Sequence, residues 1–550
     1  MFYPDNFPEP VDKVLKAAED IIAAFKKDKR LDGSKFLRVV KNLSAKNFLA
    51  PIPSWALFLI YFRQKKLTPK LKKFLMIKHV RSWSGIVPVS IFTKNFGCPA
   101  RCVFCPTEAR VPKSYFSDEP AVMRAIRNKY DAFKQVSSRL TQLFLSGHAI
   151  EKIELIIQGG TFSAINNKYR EHFVKRAFDA ANNDIAKLIL SNKKSSPAAK
   201  SLKASQAVNE KTKNRIIGIT VETRPDWCTD KEIIFLRNLG VTRVELGVQS
   251  LEDKVLTLVK RGHGMKEVIM ATKELKEAGL KVCYHMMPGL PNATPETDLA
   301  GFKKLFSDPN YQPDLLKIYP CVVTRDSELL SWYQTGKYKP YDDETLTKLL
   351  VEIKKIIPPY VRILRLIRDI PSGDIVAGSK ISNLREEVQK DLIRLGNRCR
   401  CVRCREVALN NKYLTINAGK LKLRETKYEA SDGIEYFLDY IADTKEETLF
   451  ALLRLRFPSY LYNGHKPLLK ELEGATIIRE LHTYGLALPI GSHKSSPQHK
   501  GLGQKLLQRA EEITKKAGIK KIAVTSGVGA REYYLKFGYK RQGIYMVKKL

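Results

Sequence analysis

The chain has 550 residues, enough for several domains and for a sizeable hydrophobic core. Hydrophobic residues make up 44% of it, an ordinary share for a soluble globular protein. Its 96 lysines and arginines outnumber its 57 aspartates and glutamates, which gives a formal net charge of +39. Such an excess favours nucleic acid as a partner, because neutralising phosphates releases counterions. A generally basic proteome would produce the same excess.

The apolar and cysteine residues argue against a membrane-spanning or disulfide-linked protein. The longest apolar run near the start, residues 55–62, is too short to cross a bilayer, and no signal-peptide pattern opens the chain. Six of the nine cysteines fall into two tight groups, which favours reduced, metal-bound thiols over a disulfide framework. We therefore expect a cytoplasmic protein with no membrane partner.

Residues 1–80 are predicted to form a small helical region. Apolar residues in 11–27 recur close to the helical period of 3.6, and prolines interrupt the later part. From Arg63 to Arg81 the chain carries eight lysines and arginines and no acidic residue. Such a run of basic residues often forms only a solvent-exposed surface, but on a small helical domain it also suits the binding of phosphates. We predict that this region binds the backbone of an RNA.

Strands and helices alternate through residues 81–396. This pattern predicts parallel strands with crossover helices, an α/β domain built as a partial (β/α)6 barrel. Active sites of such barrels lie at the C-terminal ends of the strands. A basic insertion, Ser191 to Asn214, is predicted to be flexible. The predicted strands are 86–93, 153–158, 216–222, 242–248, 281–287 and 315–319, and the predicted helices include 121–144, 167–182, 229–239, 265–278 and 294–307.

Three thiols, those of Cys98, Cys102 and Cys105, follow the first predicted strand on one short loop. Three cysteines so placed can ligate three irons of a [4Fe-4S] cluster and leave the fourth iron without a protein ligand. S-Adenosylmethionine needs an open iron of this kind for its reductive cleavage to a carbon radical. A zinc knuckle or a buried cysteine group is the alternative, and the motifs that follow in the chain argue against it.

Glycines and polar residues lie at the ends of the next predicted strands. Gly159 and Gly160 end the second strand, where the backbone can approach a small ligand closely. Glu222 ends the third strand, and Arg243 and Gln249 lie at the ends of the fourth, placed to hold S-adenosylmethionine or a substrate. The plain alternatives are a turn for the glycines and structural salt bridges for the charged residues.

A second cysteine group, Cys399, Cys401 and Cys404, lies in a predicted linker, residues 397–418. It offers three thiolates on one turn, whereas a structural zinc ion takes four ligands. A distant cysteine, a histidine and water are all open as the fourth ligand. Free structural cysteines are the alternative to a metal site.

The last predicted domain, residues 419–550, has an α+β pattern. Its key loop precedes a predicted helix and has a Q-x-x-G-x-G pattern, which suits a pyrophosphate as in the coenzyme A loop of a GNAT domain. Downstream, Tyr533 and Tyr534 are either catalytic or ordinary core aromatics, and Glu480 and His482 are candidate general bases. The loop consists of Gln498, His499, Lys500, Gly501, Leu502 and Gly503.

In combination, these motifs resemble the catalytic subunit of Elongator, a family that joins a radical S-adenosylmethionine domain to a GNAT acetyltransferase domain. The resemblance covers nearly the whole chain, with residues 1–80 matching more loosely. It implies acetyl-coenzyme A as cosubstrate, zinc at the second cysteine group, and Tyr534, beside Tyr533, as the acid that protonates the departing thiolate. The segments that carry it are Cys98–Arg127, Gly218–Cys228, Glu245–Ser250, Leu315–Pro320 and Arg398–Arg405.

The resemblance also implies that the substrate is the wobble uridine of tRNA. Our hypothesis is that a 5′-deoxyadenosyl radical activates the acetyl methyl group, which adds to carbon 5 of the uracil, and that thioester hydrolysis leaves 5-carboxymethyluridine. The anticodon loop and stem would bind with the base splayed out of its stack. The rival hypothesis is a protein lysine acetyltransferase, acting on histone-like substrates, with a purely structural iron–sulfur cluster. Accessory subunits or a homodimer are left open.

Overall fold

The structure is a computed structural model that describes residues 11–27, 33–46, 52–63, 75–76, 84–191, 195–409, 421–485 and 501–550. Its N-terminal segment is helical, as predicted, and packs on the next domain through stacked rings of Phe62 and Phe144, whose centroids are 4.4 Å apart. Most of the basic run from Arg63 to Arg81 lies outside the described residues, so RNA binding there stays a prediction. The helices of this segment are α1 Val11–Lys27, α2 Gly33–Lys46 and α3 Ser54–Arg63.

A seven-stranded parallel sheet forms the next domain, in the order β1-β2-β3-β4-β5-β6-β8. Strand order follows chain order because each strand returns through a crossover helix, so the partial barrel is confirmed. The seventh strand, β8, was not predicted, because it has only four residues and begins and ends with arginine. The strands are β1 Val87–Phe92, β2 Lys152–Gln158, β3 Arg215–Thr223, β4 Arg243–Gln249, β5 Lys281–Met286, β6 Leu315–Ile318, β7 Val323–Thr324, β8 Arg362–Arg365 and β9 Ile375–Ala377.

The helices of this domain differ from prediction at two places. The predicted helix 121–144 is broken, because Lys129 and Tyr130 take positive φ angles of 51° and 56° and Asp131 caps a new helix. The insertion predicted to be flexible contains a helix at 202–209, whose Ser205 hydroxyl donates to Asp179 over 2.8 Å. The helices are α4 Pro120–Arg127, α5 Ala132–Leu145, α6 Asn167–Ala181, α7 Ile185–Ser191, α8 Leu202–Asn209, α9 Asp230–Leu239, α10 Asp253–Leu258, α11 Met265–Glu277, α12 Pro295–Ser307, α13 Leu329–Gln334, α14 Asp343–Ile356, α15 Leu384–Arg394 and α16 Val402–Arg405.

A second seven-stranded sheet forms the C-terminal domain, in the order β10-β11-β12-β13-β14-β16-β15. Among the described strands of this sheet, one pair is parallel, β13 with β14, and it extends over Thr476–Ile478 only. Because β13 continues to Thr483, the two strands separate beyond that point. Its elements are β10 Leu421–Ala430, β11 Gly433–Ala442, β12 Leu449–Phe457, β13 Thr476–Thr483, α17 Leu502–Lys516, β14 Lys521–Val524, α18 Arg531–Leu535, β15 Lys540–Gln542 and β16 Tyr545–Lys549.

The C-terminal domain packs on the N-terminal edge of the half-barrel. Arg479 of β13 pairs with Asp314, which immediately precedes β6, and Glu480 of β13 pairs with Lys281, the first residue of β5. Gly527 lies so close to β3 that an added Cβ would overlap the Ile217 carbonyl oxygen. The cysteine loop, at the C-terminal end of β1, therefore lies at the opposite edge. No helix among the described ranges is both long and apolar enough to cross a membrane.

Candidate active site

A cavity of about 470 Å³ opens at the C-terminal edge of the half-barrel. The three-cysteine loop lines it, with Cys102 buried and Cys98 and Cys105 half-buried. The carboxyl ends of parallel strands converge at one edge of such a sheet, so side chains distant in sequence meet there. Among the predicted residues, Glu222 and Gln249 also line this cavity.

The loop cysteines fit a cluster better than a single ion. The described loop cysteines do not form a group whose sulfurs all lie within 4.8 Å of one another, the spacing that suits one metal ion. A [4Fe-4S] cluster places each thiolate on a different iron, so its ligands lie farther apart. Cys98, Cys102 and Cys105 are the cysteines among the residues lining the cavity. Three thiols leave one iron open.

Gly159 and Gly160 have different roles beside the loop. Gly159 has φ +138°, and an added Cβ would overlap the side chain of Thr93, so glycine is needed where β1 and β2 end together. Gly160 has φ +89° and lines the cavity, and the nearest atom to an added Cβ would be the Lys113 carbonyl oxygen at 3.7 Å. Only the second glycine offers its backbone to a ligand, which suits its predicted role.

Glu222 belongs to a connected polar network on the cavity wall. Its carboxylate accepts hydrogen bonds from the Tyr115 hydroxyl at 2.5 Å and from Lys317 Nζ at 3.3 Å. Lys317 also pairs with Glu245, which accepts from His285 Nε2 at 2.9 Å. Burial would raise the pKa of Glu245, but Lys317 above all offsets this and holds the pKa well below its usual range. The network therefore presents fixed charges and oriented donors to a ligand.

Arg243 and Gln249 differ from each other in what they can reach. The Arg243 guanidinium pairs with Glu154 at 2.5 Å and with Glu245, and it is absent from the cavity lining, so its predicted contact with cofactor is replaced by a role in holding Glu245. Gln249 takes φ +74°, unusual for a residue other than glycine, and lines the cavity. Its Oε1 is buried and has no hydrogen-bond partner among the described residues, so it is available to a ligand.

Basic side chains contribute to the lining of the cavity. Arg368 donates to the Ser114 hydroxyl over 2.9 Å, and its guanidinium lies over the Tyr115 ring, 5.0 Å from the centroid. Glu119 lies nearby, and burial raises its pKa to about 7, which reduces its opposing charge. A positive cavity of this kind attracts anions such as phosphate. The basic lining residues include Lys113, Arg124, Arg139, Arg365 and Arg368.

The second cysteine group lies at the start of α16, away from this cavity. The sulfurs of Cys399, Cys401 and Cys404 all lie within 4.8 Å of one another, which suits one tetrahedral metal ion. Within the described ranges, no fourth histidine, cysteine or carboxylate joins the group at that spacing. The linker from 410 to 420 lies outside those ranges, so the fourth ligand stays open.

The predicted coenzyme A loop is described only at its end. Gln498, His499 and Lys500 lie outside the described residues, whereas Gly501 has φ +72° and precedes α17 directly. Leu502 is buried in the core and anchors the start of the helix. The first N–H groups of a helix have no partner within the helix, so this end suits a pyrophosphate.

The two tyrosines occupy different environments. The Tyr533 hydroxyl lies against the backbone of Gly503, 2.5 Å from where a Cβ would be, and its ring is 37% exposed. Tyr534 is 6% exposed and packs edge-on against Tyr533 and Tyr539. Burial raises the pKa of Tyr533 to about 12, so its phenol stays protonated at neutral pH. Burial also raises the pKa of Tyr534, so both phenols stay protonated. The contact of the Tyr533 hydroxyl with Gly503, at the start of α17, favours Tyr533 as the proton donor, while Tyr534 keeps its predicted role as a hypothesis.

The candidate bases on β13 are poorly suited to take up protons. Burial would raise the pKa of Glu480, but Lys281 and Arg454 more than offset this and hold it below its usual range. Burial lowers the pKa of His482 to about 4, and its Nε2 lies 2.9 Å from the Ser84 carbonyl oxygen. Both side chains fit a role at the domain boundary better than one as a base near neutral pH.

Family models match both domains of the chain. The radical SAM superfamily model matches residues 94–301, the radical SAM C-terminal domain model matches 313–394, and the acetyltransferase (GNAT) domain model matches 494–549. The half-barrel with its three-cysteine loop is therefore a radical S-adenosylmethionine domain, joined in one chain to a GNAT acetyltransferase domain.

Relatives match this chain over most of its length. It is 42% identical to the tRNA uridine(34) acetyltransferase of Methanocaldococcus infernus, over 97% of this chain and 98% of that protein. It is 38% identical to Elongator complex protein 3 of Homo sapiens, over 88% of this chain and 87% of that protein. A solved structure, the archaeal Methanocaldococcus infernus Elp3 with residues 1–46 deleted, is 40% identical with a TM-score of 0.72, covering 85% of this chain and 99% of that one. The chain belongs to this family of tRNA uridine(34) acetyltransferases and Elongator complex protein 3.

Sequence reasoning missed several residues of the site. His285 and Tyr115 had no motif to mark them, and Arg261 and Arg368 lie in segments to which no site role was assigned. The sequence pointed weakly to Lys317, because a lysine inside a short apolar strand is buried and needs a partner of opposite charge. The other four become recognisable only when the strand ends are brought together.

Proposed function

We propose that this chain modifies the wobble uridine of tRNA, uridine 34, with acetyl-coenzyme A as the source of the added group, and that the product is 5-carboxymethyluridine. The observation that carries the proposal is the joining, in one chain, of the cysteine-lined cavity to a GNAT domain buried against the same half-barrel. A relative named tRNA uridine(34) acetyltransferase, matched over 98% of its length, supports it.

Cys98, Cys102 and Cys105 would hold a [4Fe-4S] cluster, and S-adenosylmethionine at its open iron would supply a carbon radical by reductive cleavage. The residues around it bind and orient. Gly160 leaves space beside the loop, and Gln249 offers an unpartnered carbonyl oxygen. The Glu222 network keeps its charges in place before a ligand arrives, which is how a site avoids reorganisation during the reaction.

The basic lining suits the RNA. A base inside a stacked anticodon loop cannot reach a cavity, so uridine 34 has to be splayed out, with its flanking phosphates at the rim. Arg365 and Arg368, which pair with Asp369 and Glu119, would also bind such phosphates, since guanidinium groups pair with phosphate in a bidentate way. The basic run of residues 63–81 would hold the anticodon stem.

In the GNAT domain, the N–H groups at the start of α17 would bind the pyrophosphate of acetyl-coenzyme A. Tyr533, whose hydroxyl lies beside Gly503, would donate the proton to the departing thiolate, with Tyr534 packed behind it. A zinc ion bound by Cys399, Cys401 and Cys404 would stabilise the linker between the two domains.

The test is anaerobic incubation of the reconstituted full-length protein with S-adenosylmethionine, acetyl-coenzyme A, dithionite and unmodified tRNA, followed by mass spectrometry of the nucleosides. We expect 5-carboxymethyluridine at position 34 with the wild-type protein and none with Cys102→Ser. Absence of the product, despite a loaded cluster and bound tRNA, would overturn the proposal. Acetylation of protein lysines that persists in Cys102→Ser would favour the rival lysine acetyltransferase.

A further inference from the structure

Arg261 is a buried cation that faces a cysteine of the loop. Its Nη1 lies 3.5 Å from the Cys102 sulfur and donates to it. The arginine is 6% exposed and the cysteine 7%. Its other described hydrogen bonds go to the Gly247 carbonyl oxygen, and it forms no ion pair with any carboxylate of the described residues. A buried guanidinium without a counterion is a rare and costly arrangement.

Backbone contacts fix the guanidinium in this orientation. The Gly247 carbonyl oxygen accepts from Arg261 Nε at 3.1 Å and from Nη2 at 2.6 Å. A Cβ at 247 would lie 2.5 Å from Nη2, so a larger residue there would displace the guanidinium from this position. The Val103 N–H donates to the Val259 carbonyl oxygen over 3.1 Å, which ties the cysteine loop to the segment that carries Arg261.

A second arginine holds that segment from the other side. Arg224, at the end of β3, donates to the carbonyl oxygens of Arg261 and Gly262 over 2.7 and 3.1 Å. Its own charge is balanced by Asp226, which accepts two of its N–H groups at 2.9 and 2.8 Å. Arg224 therefore has a carboxylate partner where Arg261 has only a sulfur. The backbone of Arg261 is thus held from the end of β3, and its guanidinium is held by the Gly247 carbonyl oxygen of β4.

The cysteine loop itself can supply the counterion that Arg261 lacks. A neutral thiol does not balance a buried positive charge, whereas a cysteine sulfur that ligates iron carries negative charge. The buried charge of Arg261 is therefore complementary to a cysteine loop that holds an iron–sulfur cluster. The Cys98 sulfur has the uncharged Thr161 hydroxyl at 3.4 Å, and Cys105 has Arg368 and Lys113 as charged neighbours. Arg261 differs from those two cations in donating a hydrogen bond directly to a loop sulfur, that of Cys102.

We propose that Arg261 raises the reduction potential of the [4Fe-4S] cluster that the proposed function assigns to this loop. In the step concerned, one electron passes from an external one-electron donor to the oxidised cluster, the donor is oxidised, and no proton or ligand moves. The reduced cluster carries one more negative charge, which a buried positive charge and an N–H···S hydrogen bond stabilise. Arg261 is a positioning residue for electron transfer rather than a residue that touches the substrate.

The test is a potentiometric titration of the reconstituted full-length protein with dithionite, followed by the EPR signal of the reduced cluster. We expect Arg261→Gln to make reduction at a given potential at least tenfold less favourable, a fall of about 59 mV in midpoint for a one-electron couple. Arg261→Lys keeps the charge and should fall between. The control Lys260→Gln removes a neighbouring charge that is 53% exposed and paired with Glu328, and it should leave the midpoint unchanged.

The outcomes separate this inference from the function it rests on. A loaded Arg261→Gln protein with the wild-type midpoint overturns the inference and leaves the proposed function intact. Loss of the cluster in both Arg261 variants, but not in Lys260→Gln, would show that the arginine serves assembly and would also overturn it. A wild-type protein that binds no cluster under reconstitution overturns both.

Discussion

Arg479 and Asp314 form a bidentate ion pair, fully buried, across the boundary between the GNAT domain and the half-barrel. The two hydrogen bonds measure 2.7 and 2.6 Å, and neither side chain is exposed to solvent. Arg454 reaches the same carboxylate from the next strand, and Asp314 in turn accepts from the Val282 N–H of β5. One carboxylate thus joins two strands of one domain to the sheet of the other.

We expect Asp314→Asn to destabilise the whole protein. The substitution removes one carboxylate from two buried guanidinium groups, although Arg479 keeps Glu435 and Arg454 keeps Glu480 as partners. Breaking a buried pair typically costs about 3–5 kcal/mol, and we expect the lower end of that range here because neither guanidinium is left without a counterion. Urea unfolding followed by circular dichroism measures the change. Glu344→Ala is the matched control, since it breaks a surface pair in which Glu344 is 78% exposed, and it should unfold as the wild type does. Equal midpoints for both variants would contradict the prediction.

The two tyrosines can be separated by single hydroxyl deletions. We expect Tyr533→Phe to lower tRNA-dependent hydrolysis of acetyl-coenzyme A by about 100-fold or more, because general acid catalysis contributes on that scale. Tyr534→Phe should retain most activity, since its buried ring packs equally well without the hydroxyl. Release of free thiol gives the rate. The reverse order of effects would support Tyr534 in the role implied by the family resemblance.

Metal content tests the second cysteine group. Cys404→Ser should lose one equivalent of zinc, measured by mass spectrometry of the metal, because two remaining thiolates no longer hold the ion. Cys228→Ser changes a buried cysteine outside both groups and should keep the zinc. Zinc absent from wild-type protein purified without chelator would refute the assignment.

His482 should contribute to the acid lability of the fold. Burial lowers its pKa from 6.5 to about 4, so the unfolded chain binds a proton between those pH values while the folded protein does not. The stability that neutral His482 provides is present above pH 6.5 and is lost as the pH falls towards 4. His482→Gln should flatten the melting temperature against pH over that window. The control is the exposed His465→Gln, which should keep the wild-type slope, and parallel curves for His482→Gln would disprove the idea.

The half-barrel could be predicted because short β-prone segments with buried apolar residues alternate regularly with helical segments along the chain. β8 was not predicted because Arg362 and Arg365 interrupt its apolar pattern. In the folded structure these arginines form ion pairs with Glu406 and Asp369. Ser191 to Asn214 was predicted to be flexible because it is rich in lysine and serine. The structure orders residues 195–214 with polar contacts such as that of Ser205 with Asp179, which no hydrophobic periodicity reveals.

The residues of the site also differ in whether the sequence alone could predict them. Cys98, Cys102 and Cys105 are close in sequence, so their spacing, together with the motifs that follow in the chain, predicted a cluster. Arg261 lies 159 residues from Cys102, and only the meeting of strand ends brings the two together. Arg243 was expected to contact a ligand because it lies on the strand with Gln249, but it is the first residue of β4 and faces Glu154 instead.

The close glycine contacts and the buried arginines at the domain boundary determine how the two activities of this enzyme should be separated experimentally. A fragment holding residues 419–550 alone would bring Arg454, Arg456 and Arg479 into water with the carboxylates of Asp314 and Glu277 removed. Such a truncated acetyltransferase would be a different molecule, prone to misfold. Inactivity of an excised fragment would therefore say nothing about the chemistry of the intact chain, and point substitutions are the sounder way to divide its two activities.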